Sequence, residues 1–184
     1  MRVIESNLIA NLYTIMKKLL LSAALLLSVF VLRAQQKDEG NVVKVGDMVP
    51  DFKVQMFDGK EVNISDLRGK VVLVNFWATW CPSCIQELAV VQKEIIDRFK
   101  DKEFVFLPIS REDPYEKIAA FRKDRGHNFP MGMDPNRKIY SKFATVTIPR
   151  NYVVNKEGKI VYMEKGYTKE LLNEMVREIE KLLQ

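Results

Sequence analysis

Only two of the 184 residues are cysteines, and a single histidine, His127, accompanies them. A closed tetrahedral zinc site needs four Cys or His ligands, so this scarcity excludes structural zinc. A disulfide framework is excluded too. Cys81 and Cys84 are separated by two residues, and so short a loop removes little entropy from the unfolded chain when it closes. An excess of one charge is also missing. The chain carries +5, and without residues 1–34 it has 25 basic against 23 acidic residues, a balance of +2. Near-neutrality of that kind gives nucleic acid no electrostatic footprint to bind. No internal repeat or low-complexity tract occurs. Hydrophobic residues at 47% and charged residues at 29% are enough to build one core without staples.

The two cysteines that are present carry most of the functional signal. They lie in Trp80-Cys81-Pro82-Ser83-Cys84, where a β-branched apolar run gives way to an amphipathic stretch. A Cys-x-x-Cys pair that closes a strand and opens a helix puts its first sulfur at the helix N-terminus. Unsatisfied N–H groups and the helix dipole there favour a thiolate. The pattern points to a reversible dithiol/disulfide.

The N-terminus reads as a targeting segment. Met16-Lys17-Lys18 is a basic start, Leu19–Leu32 is an uncharged run of 14, and Leu32-Arg33-Ala34 ends it at a small residue. That pattern predicts a secretory signal peptide over 1–34, cleaved after Ala34. A run of 14 helical residues covers about 21 Å, short of the ~30 Å hydrocarbon core, which leaves an uncleaved membrane anchor as the less favoured alternative. Residues 1–15 carry no targeting pattern, so Met16 is a candidate initiator. No cysteine follows the apolar run, so lipid attachment there is not expected. Residues 35–43 read as a linker and 44–184 as the folded domain.

Within that domain, Phe52–Met56 alternates and reads as a half-buried strand, with Asp58-Gly59 as the turn to Glu61–Ile64. Val71–Phe76 is near-continuous and apolar, the mark of a central strand covered on both faces. From Pro82 the period changes: Cys84, Leu88, Val91, Ile95 and Phe99 form one helical stripe, with Pro82 in the first turn, where a missing N–H costs least. Phe104–Ile109 is a second buried strand, 114–123 a helix stopped by Gly126, and 135–143 a further helix. Tyr152–Val154 and Ile160–Tyr162 pair as a hairpin, and Leu171, Leu172, Met175, Ile179 and Leu182 mark a closing helix. The order predicts an α/β fold.

This order, with Asn-Phe-Trp-Ala-Thr-Trp-Cys-Pro-Ser-Cys at 75–84 and Ile148-Pro149 before the last hairpin, resembles the thioredoxin superfamily. The likeness is closer to its TlpA/ResA-like branch of exported thiol–disulfide oxidoreductases, and Val45–Phe52 resembles that branch's opening segment. The resemblance implies a three-layer fold: a central mixed β-sheet flanked by helices, an N-terminal β-hairpin and an inserted helix between Lys100 and Gly126. It implies Cys81 as the attacking thiol with an exposed sulfur, and Cys84 as the shielded resolving thiol. Trp80, Pro82, Ile148 and Pro149 are the expected substrate surface, with Pro149 cis; a trans proline opening a strand is the plain alternative. Trp77 reads as packing. Where thioredoxin itself has a buried Asp, this chain has Asn75. Glu87, three residues past Cys84, matches the branch's glutamate and is a candidate proton acceptor if buried, or a solvated helix residue if not. Arg150 adds positive potential near the thiolate, selects acidic partners or lies in solvent, and His127 reads as a loop residue.

The implied activity is exchange of electrons with exported protein disulfides, as a reductant, with no cofactor and no metal. Expected partners are disulfide-containing exported proteins and an envelope electron donor, in the periplasm or cell envelope. No nucleic acid is expected, and a membrane is met only through an uncleaved anchor. Cytochrome c maturation, repair of wrong disulfides and stress resistance all fit, and the residues do not choose among them. Two rivals share the fold. A thiol peroxidase would need Pro-x-x-x-Thr-x-x-Cys, but Val74 and Ala78 stand in the Pro and Thr positions relative to Cys81. A copper-delivery protein would use Cys-x-x-x-Cys with a distal His, a wider spacing than is found here.

Overall fold

The computed structural model describes residues 16–17 and 40–184. The predicted signal peptide and its cleavage point, apart from Met16 and Lys17, lie outside the described residues, as does the predicted linker up to residue 39. The chain divides into two units, 1–39 and 40–184, and the second holds the sheet and the cysteine pair. Among the described residues no helix is long and apolar enough to cross a membrane.

A seven-stranded mixed sheet forms the centre, in the order β2-β1-β5-β4-β3-β6-β7. The strands are β1 Lys53–Met56, β2 Glu61–Asn63, β3 Val71–Trp77, β4 Phe104–Arg111, β5 Gly132–Asp134, β6 Arg150–Val154 and β7 Ile160–Lys165. The unbroken apolar run of β3 is explained by its place. It runs parallel to β4 and antiparallel to β6, and all seven of its residues are buried. In β1, by contrast, only Val54 and Met56 point inward.

Side chains alternate across β3, and this sorts the layers. Asn75 and Trp77 face the helices α1 (Pro82–Val91), α2 (Tyr115–Arg125) and α3 (Lys169–Leu182). Trp77 packs on Phe121 of α2 with ring centres 5.0 Å apart. Phe76 points the other way, into an aromatic cluster with Tyr140, Phe143 and Tyr152. A 3₁₀ turn at Tyr140–Lys142 covers that second face. α2 follows β4 as the inserted helix, and Gly126 ends it in the left-handed conformation (φ 67°), where its N–H reaches the carbonyls of Arg122 and Lys123.

The structure departs from the sequence reading in three places. The predicted helix over 135–143 is reduced to the 3₁₀ turn. The Asp134 carboxylate accepts from the N–H groups of Ile139 (3.0 Å) and Tyr140 (2.8 Å), and Arg137 sits at φ 57°, so a side chain and a reversed residue take the place of the helical ladder. The helix opened by Pro82 keeps its stripe of buried Cys84, Leu88, Val91, Ile95 and Phe99, but widens to a π-turn over Gln92–Asp97. Gln92 spans that turn to Asp97 at 2.8 Å. Finally, the folded unit begins before residue 44. Thr145 N–H donates to Gly40 O, Val42 N–H to Phe143 O, and Val43 is buried. Gly40 has φ 87°, and a Cβ there would stand 2.5 Å from Val146 Cγ2, so only glycine fits this contact.

Candidate active site

β3 ends at Trp77, and the next residues turn Cys81 into the N-cap of α1. Its φ and ψ are extended (−95°, 109°), Pro82 follows, and Cys84 N–H points at Cys81 Sγ from 3.2 Å. A sulfur in that position faces the free amides and positive dipole of the first turn, which stabilise a thiolate. Cys81 and Cys84 are joined as a disulfide. Ser83 Oγ, 3.5 Å from Cys81 Sγ, adds a hydroxyl donor within the motif. The expectation of an exposed Cys81 sulfur needs correction for this oxidised form. The residue is 4% exposed, and its sulfur lies 3.7 Å from the carbonyl oxygen of Ile148. Trp80, beside it, is 54% exposed, and Pro82 is exposed as well. The Ile148–Pro149 bond is cis. The loop before β6 thus brings Ile148 and Pro149 to the disulfide from the opposite side of the sheet end.

That loop is held by side chains at three successive carbonyls. Arg137 Nη2 donates to Thr145 O (2.7 Å), and Arg150 Nε to Val146 O (2.9 Å) and Thr147 O (3.2 Å). Tyr140 OH donates to Thr147 O at 2.6 Å. Arg150 therefore neither projects toward the thiolate nor lies in solvent. It is 1% exposed, and its Nη1 also donates to Asn41 Oδ1, tying the start of the folded unit to the loop. Arg111 supports the same corner, with its guanidinium 5.7 Å from the Trp80 ring and 4.6 Å from the Tyr140 ring. Sequence reasoning missed Tyr140 and Arg111 because nothing local ties them to the motif.

Two carboxylates are buried near the cysteines. Asp113 (1% exposed) accepts from Thr79 N–H (2.7 Å), Thr79 Oγ1 (2.8 Å) and Ser110 Oγ (2.7 Å), fixing the turn that leads to Trp80 and Cys81. Glu87, one helical turn beyond Cys84, is 2% exposed, which removes the solvated alternative. Its oxygens accept from Asn75 Nδ2 (2.9 Å) and Asn151 Nδ2 (2.6 Å). Burial pushes its pKa up to about 7, against the two amides, which favour the charged form. Asn151 was overlooked in the sequence. Its signal was there: an amide inside a strand that otherwise reads apolar, Asn151-Tyr152-Val153-Val154.

Trp77 is fully buried, as packing. His127 sits between the rings of Phe121 (5.5 Å) and Phe129 (4.9 Å), and burial with nearby Arg122 and Arg125 lowers its pKa. It is not drawn into the cysteine site. Among the described residues no group of three or more His, Cys, Asp or Glu is placed to hold a metal ion.

Comparisons with known proteins agree with this geometry. The AhpC/TSA family model matches residues 45–163. The chain is similar to the thiol-disulfide oxidoreductase ResA of Bacillus thuringiensis, at 28% identity over 138 residues, covering 74% of this chain and 79% of that protein. ResA of Oceanobacillus iheyensis is 30% identical over 142 residues, 75% of this chain and 73% of that one. A solution structure from Bacteroides thetaiotaomicron, provisionally designated a protein disulfide isomerase, matches at 39% identity and a TM-score of 0.75, covering 79% of this chain and 93% of that one. With a disulfide whose first cysteine caps a helix beside a cis-proline, this chain belongs to the AhpC/TSA family, as a ResA-like thiol–disulfide oxidoreductase of the thioredoxin superfamily.

Proposed function

We propose that the enzyme works as a reductant of disulfides in exported proteins, within the periplasm or cell envelope. The observation that carries the reading is the place of Cys81 Sγ, at the helix N-terminus, under the Ile148 carbonyl and next to an exposed Trp80. In the reduced enzyme the Cys81 thiolate attacks one sulfur of the substrate disulfide. The S–S bond breaks, a mixed disulfide forms, and the other substrate sulfur leaves as a thiolate that takes up a proton. Glu87 then accepts the Cys84 proton, and the Cys84 thiolate attacks Cys81 Sγ. This expels the second substrate thiolate and leaves the Cys81–Cys84 disulfide. Two electrons have moved to the substrate, and an envelope dithiol donor restores the enzyme by the reverse exchange. Trp80, Pro82, Ile148 and Pro149 form the surface on which the substrate chain lies. The basic start and apolar run at 16–32 support export, with cleavage after Ala34 favoured over retention as an anchor. Cytochrome c maturation is one task that such a reductant serves.

The test is capture in cells. Cys84→Ser stalls resolution, so mixed disulfides through Cys81 are expected to accumulate with envelope proteins, and Cys81→Ser should capture none. Capture of cytoplasmic proteins alone, or equal capture by both variants, would refute the reading. The mass of the native protein reports the N-terminus, and an intact Leu19–Leu32 would show an anchor.

A further inference from the structure

Asn75 and Asn151 stand directly opposite each other on β3 and β6, 76 residues apart in sequence, and their side chains share the face that meets α1. Together with Glu87 they close a three-way ring. Asn75 Nδ2 donates both to Glu87 Oε2 (2.9 Å) and to Asn151 Oδ1 (2.8 Å), while Asn151 Nδ2 donates to Glu87 Oε1 (2.6 Å). All three residues are buried.

The ring pairs every donor with an acceptor only when both Glu87 oxygens are bare. A proton placed on Oε2 faces the Asn75 amide nitrogen. Rotating Asn75 to offer its oxygen sets that oxygen against Oδ1 of Asn151. Rotating Asn151 in turn sets its oxygen against Oε1. A proton placed on Oε1 fails in the same way, starting from the other side. Each protonated arrangement therefore loses one of the three contacts. The one buried side-chain oxygen without a partner in the ring, Asn75 Oδ1, fits this logic, because the carboxylate has drawn the nitrogen of that amide toward itself.

We infer that Asn151 is a positioning residue for the exchange reaction: with Asn75 it frames the Glu87 carboxylate in its charged, proton-accepting form. The inference rests on the reading of Glu87 as the acceptor for Cys84. Without the frame, burial alone would govern the carboxyl, since burial and these two amides are the influences on its pKa. The ionisable groups around it give the charge no help. Cys84 lies a turn away on its own helix, and Glu164 of β7 and Tyr167 line the same enclosed space with Leu171, Leu172 and Met175. The Tyr167 phenol is raised by its burial and then by the charge of Glu87. Asn151 also stands two residues beyond Pro149, so the loop that carries the docking residues leads directly into the strand that holds the acceptor.

The test uses the whole protein in its disulfide form, where neither cysteine titrates, with carbon-labelled glutamate followed by NMR. In wild type the Glu87 carboxyl is expected to titrate near pH 7, with the side-chain amide signals of Asn75 and Asn151 moving at the same midpoint. N151L should raise that midpoint by about one unit or more, since one charge-stabilising bond is lost. In the reduced enzyme the alkaline rise of the disulfide-reduction rate should shift with it, so that N151L is about fivefold or more slower near pH 7 and approaches wild type near pH 9. Should N151L fail to fold, the wild-type amide signals still decide: amides that do not respond to pH between 5 and 9 overturn the frame. An unmoved Glu87 midpoint in N151L overturns it too. A Glu87→Gln profile superimposable on wild type would instead overturn the role of Glu87 itself, which separates the two failures.

Discussion

Asp113 and Glu87 are equally hidden, yet they serve the two ends of the redox motif in different ways. Asp113 stands ahead of Cys81, and its three donors are a backbone N–H and two hydroxyls that belong to the turn and to β4. Glu87 stands behind Cys84, and its donors are two amides on neighbouring strands. The first carboxylate holds a loop in place. The second sits at a pKa near 7, where it can both take and return a proton. Burial alone does not make a carboxylate chemical. What counts is whether its partners would be orphaned by a proton or only rearranged.

Four measurements put that contrast at risk. Asp113→Ala should produce the largest effect, a loss of about 3–4 kcal/mol in urea unfolding, because the three donors it satisfies are left unpaired. A loss under about 1 kcal/mol would show that the turn holds itself.

The second measurement is the pH dependence of stability. The folded pKa of Glu87 is raised from 4.5 to about 7, so between those values the folded state holds a proton that the unfolded state has lost. The contribution of this group is therefore present below pH 4.5, declines as pH rises, and is gone above pH 7. It amounts to something on the order of 3 kcal/mol. Glu87→Gln should remove this slope from a series of unfolding curves, and an unchanged slope would place its origin elsewhere.

The third is kinetic. Glu87→Gln should slow disulfide reduction at pH 8 by about ten- to a hundredfold, and the two enzymes should converge below pH 6, where the wild-type carboxyl is protonated. A constant ratio across pH would make Glu87 a packing residue, like Asp113.

The smallest effect is expected at Tyr140→Phe, which removes the hydroxyl bond to Thr147 O and costs about 1 kcal/mol of stability. KM for a protein disulfide should rise while the rate with a small aromatic disulfide stays the same. Equal losses for both substrates would show that the hydroxyl serves the cysteines and not the docking loop.

Local pattern carried much of the architecture. The β-branched run of β3, the stripe from Cys84 to Phe99 and the stop at Gly126 each report neighbours within one element, and each was legible. The cysteine pair was legible from its own spacing at the end of an apolar run, whereas Glu87 and the Ile148-Pro149 step were pointed out only by a resemblance. What stayed hidden depends on register between distant strands. Asn75 meets Asn151 across 76 residues, and the Arg150 guanidinium reaches Asn41 across 109. From sequence alone Arg150 reads as a charge for the thiolate, for a partner or for solvent, since the carbonyls that receive it become neighbours only when the loop folds back. The failed helix at 135–143 has a similar cause. The Asp134 side chain takes the amides that a helix would need, and composition gives no sign of that competition.

The contact of Gly40 with Thr145 and Val146 has a mechanical consequence. The place where the chain enters its folded unit and the loop before the cis-proline are one piece, riveted through Arg150. Tension applied ahead of residue 40 would be felt first at the loop that leads to the cis-proline and only afterwards at the sheet. A bulky fusion joined directly at that glycine would crowd the catalytic face, whereas one joined after Gln184 would load the far end of α3, beside Arg98 and Lys102.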